Sequence, residues 1–211
     1  MEIKKELPHF YIGESLGGQQ KWYSRITNFA MNVGGCAAIT ACDCSIYFEK
    51  NFNLRGLYPF DLQNLTQEDY LRFGKIMEQY LYPRWSGVDK LEIYLDSYGR
   101  FLSDRGIKNL KMRAWSGESD FSDTWKAICA QIDAGYPIPC LILNDQVPAL
   151  QDYVWHWFIL NGYEIRDGKY FVKAVSYGIG RWINFLTLWD TGYQRKGGLI
   201  LFEICDLCLK N

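Results

Sequence analysis

The sequence predicts an α+β fold, and three observations carry that prediction. Apolar side chains recur at helical spacing between about residues 36 and 134. Short apolar runs broken by turn residues fill about 138 to 204. The 211 residues are 48% hydrophobic and 17% aromatic, enough to bury a sizeable core.

Each element has a local reason. Residues 36 to about 49 set Ile39, Cys42 and Ile46 beside Ala38 and Ala41 with few charges, the pattern of a largely buried helix. Thr66 offers a hydroxyl cap to a second helix with an acidic first turn, Glu68 and Asp69. Its apolar stripe is Tyr70, Phe73, Met77, Tyr80 and Leu81, and Pro83 stops it. A third helix, about 88 to 102, aligns Leu91, Leu95, Tyr98 and Leu102, with Gly106 as a left-handed terminator. A fourth, 122 to 134, turns Trp125, Ile128, Cys129 and Ile132 inward and stops at Gly135-Tyr136-Pro137.

Strands follow. The run 138–143 is short and apolar. The run 153–160 is apolar on both parities, so both its faces should be covered. Arg166-Asp167-Gly168-Lys169 is a hairpin signal, and 170–175, 181–185 and 198–204 are further short strands. Tight turns between sequential strands imply an antiparallel sheet or partly closed barrel. A helical half, about 20–135, should therefore face a sheet half, about 136–204, within one domain spanning 1–211.

The formal charge is −1, from 23 basic and 24 acidic residues. That balance supplies no field for nucleic acid and no polybasic tract for anionic membranes. The first eight residues lack the apolar segment of a signal peptide, and no run reaches the ~18 apolar residues of a membrane span. The expectation is a soluble, cytoplasmic protein. Seven cysteines, an odd number, fit free thiols in a reducing compartment.

The chain has two histidines, His9 and His156. A cysteine on an apolar helix and a histidine in an apolar strand ordinarily serve packing. Here their joint setting makes Cys36 and His156 a candidate nucleophile and base. Gly34-Gly35 brings the backbone sharply into a helix that starts at Cys36, where free N–H groups and the macrodipole favour a thiolate. A neutral imidazole can take the thiol proton, and the Cys36 N–H is a natural oxyanion donor.

Gly35-Cys36-Ala37, then His156-Trp157-Phe158-Ile159-Leu160-Asn161-Gly162-Tyr163, then Val175-Ser176-Tyr177-Gly178 resemble the papain-like cysteine peptidase superfamily. The nearer likeness is to its bacterial branch of bacteriocin-processing, double-glycine peptidases. Residues 132–139 resemble the helix-to-strand step ahead of the histidine strand in that branch. The resemblance spans roughly residues 20 to 204. It implies a papain-like fold, with the cysteine at a helix N-terminus packed against a sheet that carries the histidine. It also implies peptide or amide hydrolysis through an acyl-enzyme, without cofactor or metal.

The family orients its histidine with an Asn or Asp. This chain has Val175 in that turn, which leaves Ser176 as the candidate orienter. The family's oxyanion-hole Gln lies about six residues before the cysteine, where this chain has Ala30. Asn32 is then the candidate donor, with Asn28 and Gln20 nearby. These departures sustain an alternative: a catalytically impaired papain-fold protein that binds a peptide or protein partner in the cleft.

Other groupings point to no further chemistry. Cys42, Cys44, Cys205 and Cys208 suggest a zinc site only superficially, because positions 42 and 44 point about 200° apart on a helix. Arg84, Arg100, Arg105 and Lys108 are interspersed with acids, as on a solvated surface. Gly17-Gly18 and Gly197-Gly198 match no phosphate loop. Trp155, Trp157, Trp182 and Trp189 should build the packing faces of the sheet, one or two of them lining a cleft beside His156.

Overall fold

The computed structural model describes residues 2–84 and 86–205. The chain begins with strand β1 (Ile3–Glu6) and a small hairpin, β2 (Tyr11–Ile12) and β3 (Ser15–Leu16). Four helices follow: α1 (Phe29–Gly34), α2 (Cys36–Phe52), α3 (Gln67–Glu78) and α4 (Leu91–Asp104). Next come β4 (Leu110–Ser116), α5 (Phe121–Asp133), β5 (Ile138–Ile142), β6 (His156–Arg166), β7 (Lys169–Ser176) and β8 (Ile179–Asn184). The last elements are α6 (Phe185–Trp189) and β9 (Gly198–Ile204).

The architecture is α+β. One antiparallel sheet has the order β4-β9-β5-β6-β7-β8, and β1 pairs with the far half of β6. Every pairing is antiparallel, and β4 and β8 form the two ends of that order. β6 is buried from His156 through Tyr163 because both faces are covered. Trp157, Ile159, Val175, Ile200 and Phe202 pack with α2, α3 and α4. Phe158, Leu160, Ala174 and Leu199 pack with Trp125, Ile128 and Ile132 of α5 and with α6.

The helices form where stripe and cap agree. Thr66 Oγ1 accepts from Asp69 N at 3.1 Å, and Tyr70, Phe73 and Met77 are fully buried. Asp120 accepts from Ser122 N at 2.7 Å and starts α5. The α4 helix ends where Ile107 N reaches Leu102 O across Gly106 at φ +74. It begins at Leu91 rather than 88, since the Val88 carbonyl is taken by Trp157 Nε1 at 2.6 Å.

Three expectations need correction. The division into a helical and a sheet half does not hold. β4, from the expected helical half, joins the sheet, as does β1 ahead of it, and α5 covers the face opposite α2. β4 was not expected because Lys111 and Arg113 alternate with its inward residues, which reads as a charged surface. The strand expected over 181–185 ends at Asn184, whose side chain accepts from Thr187 N at 3.1 Å and starts α6. Among the described residues no helix is long and apolar enough to cross a membrane.

Candidate functional site

α1 runs almost directly into α2, and Gly35 is the hinge. Its N–H closes α1 on Met31 O, and its own carbonyl accepts from Ile39 N at 2.9 Å to open α2. A Cβ on Gly35 would stand 2.4 Å from Met31 O, so only glycine permits this junction. Cys36 is thereby the first residue of a 17-residue helix. It is half-buried, whereas residues 37–48 behind it are buried throughout. Burial raises the Cys36 thiol above its ordinary value, opposed in part by the backbone amides of Trp157, Ala37 and Cys36.

His156 opens β6 and pairs with Ile142 of β5. Its Nε2 lies 2.7 Å from Ser176 Oγ, on the last residue of β7. The ring stacks on Tyr177 at 4.6 Å and 4°, with Phe158 at 6.2 Å behind it. Only 6% of His156 is exposed, and burial, aided by the Lys21 charge, lowers its pKa to about 4. At neutral pH the site therefore holds a neutral thiol and a neutral imidazole.

Cys36, His156 and Ser176 line one narrow cavity of about 20 Å³, room for about one water. Gly18, Gln19 and Gln20 also line it, as do Thr40 and Asp43 on the same helix as Cys36. Among the described residues no hydrogen bond joins the Cys36 thiol to the His156 ring; the thiol meets β6 at the Trp157 amide. Trp157 itself is buried, stacked on Tyr94 at 4.5 Å. Of the other predicted tryptophans, Trp189 is buried, Trp182 lies under Lys4, and Trp155 stands 49% exposed beside Arg195.

Asn32 does not reach the cavity. Its amide Nδ2 donates to Tyr23 O at 2.6 Å and its Oδ1 faces Arg25 Nε at 3.4 Å, so the side chain ties the preceding loop to α1. Gln20 is spent similarly: Nε2 donates to Asn32 O and Val33 O at 3.1 and 3.0 Å. Asn28 caps α1 by accepting from Met31 N. The amide at the cavity with donor capacity left is Gln19, whose Nε2 makes one 3.4 Å contact with Ser15 Oγ. It follows Gly17-Gly18 and lies 17 residues ahead of Cys36 in the sequence.

Two further residues were not anticipated. Trp155 (φ 52) and Tyr177 (φ 50) both hold a left-handed backbone that bulky residues rarely adopt, and they flank His156 and Ser176. Among the described residues no group of three His, Cys, Asp or Glu side chains is placed to hold a metal. Cys42 and Cys44 are buried, and Cys208 lies outside the described residues.

Comparison with protein-family models, curated proteins and solved structures finds no match to this chain.

Proposed function

We propose that the protein is a papain-like cysteine hydrolase acting on a peptide or amide bond, with Cys36 as nucleophile and His156 as base and acid. The observation that carries this reading is the convergence, on one cavity, of a helix-starting thiol and an imidazole whose Nε2 is already held by Ser176.

With Nε2–H donated to Ser176 Oγ, the Nδ1 lone pair is the proton acceptor. As the substrate carbonyl enters, the thiol proton passes to Nδ1 and sulfur attacks the carbonyl carbon. The oxyanion takes hydrogen bonds from the Cys36 N–H and the Gln19 amide. The C–N bond breaks, the amine leaves with the His156 proton, and an acyl-thioester remains. Water then gives His156 a proton, attacks the thioester and releases the acid and the Cys36 thiol. Catalytic hydrogen bonds are often long in the free enzyme and tighten with substrate, which fits a thiol and imidazole not yet bonded.

A second reading, a partner-binding protein without hydrolysis, is favoured by the Tyr177 ring lying flat on His156 and by the small cavity. The two separate on alkylation and turnover. The hydrolase reading expects iodoacetamide to modify Cys36 at least about ten-fold faster than the half-buried Cys129 and Cys205, because His156 takes the thiol proton as sulfur attacks, and this excess to vanish in His156→Ala. It also expects a peptide library to be cleaved by the wild type and not by Cys36→Ala. Equal labelling of the three cysteines together with no cleavage overturns it in favour of binding.

A further inference from the structure

A buried carboxylate with no part in that chemistry lies two turns down α2 from the thiol. Asp43 is 4% exposed and shares a helix face with Cys36 and Thr40, and all three line the cavity. Its oxygens accept from the Gly18 N–H at 3.1 and 3.3 Å and from the Tyr70 hydroxyl at 2.6 Å. His9 Nε2 stands 3.8 Å from Oδ2, its side chain 2% exposed and neither ring nitrogen hydrogen-bonded among the described residues. Stacking against Phe10 holds the His9 ring in place.

This cluster gives the Gly17-Gly18 pair a purpose. A Cβ on Gly18 would lie 1.9 Å from Tyr70 Cζ, and one on Gly17 would lie 2.5 Å from Asp43 Oδ2. The backbone is laid directly onto the carboxylate, and the next two residues, Gln19 and Gln20, are the cavity wall facing Cys36. One helix therefore carries both the thiol and the anchor of the wall opposite it.

We propose that Asp43 is a positioning residue: gripping the Gly18 N–H, with Tyr70 and His9 bracing it, it fixes the Gln19–Gln20 wall relative to the Cys36 thiol. Asp43 touches no reacting atom and acts through the Gly18 backbone. The proposal deepens the cysteine-hydrolase reading, yet its test needs no turnover.

The test compares the rates at which Cys36 reacts with a small reagent, iodoacetamide, and a bulky one, fluorescein maleimide, read by mass spectrometry of the Cys36 peptide. In Asp43→Ala a hydrogen bond to a charged acceptor is lost, and the wall should open about ten-fold more often. The bulky-to-small ratio at Cys36 should rise by about that factor, with Cys129 unchanged. Asp43→Asn, which keeps an acceptor for Gly18, should return the ratio to within about two-fold of wild type. Should Asp43→Ala not fold, Tyr70→Phe removes one brace, keeps the ring, and should raise the ratio about three-fold. Asn184→Ala, which destabilises α6 by a lost cap on an element outside the cavity lining, should leave the ratio unchanged. The proposal is overturned if the folded Asp43 or Tyr70 variant lowers the melting temperature with no change in ratio. It is equally overturned if Asn184→Ala shifts the ratio as much. A hydrolase that proves inactive leaves these outcomes decisive.

Discussion

The hairpins at the two ends of β7 share a backbone and differ in what they are made of. Both are two-residue loops with positive φ at each central residue, the geometry that matches strand twist. The β6–β7 loop uses Asp167 and Gly168, stands in solvent and has open space around the glycine. The β7–β8 loop uses Tyr177 and Gly178. Its glycine is buried, with Gly178 O accepting from Leu16 N at 2.8 Å. Aspartate suits a left-handed position, whereas tyrosine is strained there by about 1–2 kcal/mol. What the strained residue gains is a flat stack on His156. The local rule is kept where the turn only reverses the chain and broken where it covers the candidate base.

The largest way to break that contrast is to remove what Tyr177 covers. His156→Ala should lower Cys36-dependent hydrolysis by about 10²–10⁴, while Asp167→Ala leaves it unchanged, as steady-state rates on a cleaved peptide would report. Acid should act through His156. The folded state keeps His156 neutral down to about pH 4, against an ordinary value of 6.5. The unfolded chain therefore binds more protons between those values. Stability is complete above about pH 6.5 and is lost as pH falls toward 4, by an amount of order 3 kcal/mol. Urea melts of wild type and His156→Gln across pH 4–7 check this: the variant should lose the slope.

Smaller effects sharpen the contrast. Gly168→Ala meets only the positive φ and should cost about 1 kcal/mol. Gly178→Ala also drives a Cβ to 2.4 Å from Ser15 Oγ and should cost about 2–3 kcal/mol, both by thermal denaturation. Tyr177→Asn relieves the backbone and loses the stack, so stability should change by less than about 1 kcal/mol while the His156 pKa, followed by NMR, climbs back toward 6.5. Asp167→Tyr, with no ring to stack on, should simply lose about 1 kcal/mol.

The same two loops mark how far sequence reasoning reached. Asp167-Gly168 announces its hairpin because residue type and backbone agree, as do Thr66 with Tyr70, Phe73 and Met77 in α3. Cys36 was legible as a helix start from the glycines before it, whereas Ser176 was singled out through the family resemblance, and the structure sets its Oγ 2.7 Å from His156 Nε2. Tyr177 was not legible as a strained cover, since nothing in a tyrosine announces a left-handed turn. The Asn32 amide was misassigned because its partner, the Tyr23 carbonyl, is set by the path of the loop. Gln19 meets the cavity beside a Gly18 N–H that bonds to Asp43 across 25 residues of sequence, a contact no local pattern encodes.

β1 also sets how the sheet meets solvent. It lies along the outer half of β6, from Ile3 opposite Ile165 to Glu6 opposite Gly162, and its four residues are all exposed. It therefore occupies backbone groups of a long buried strand and offers solvent an edge carrying Lys4, Lys5 and Glu6 in their place. Charged, lysine-rich edges discourage a second chain from adding on. A chain lacking the first six residues would present the bare flank of β6, a ready template for self-association, at the opposite end of the strand from His156.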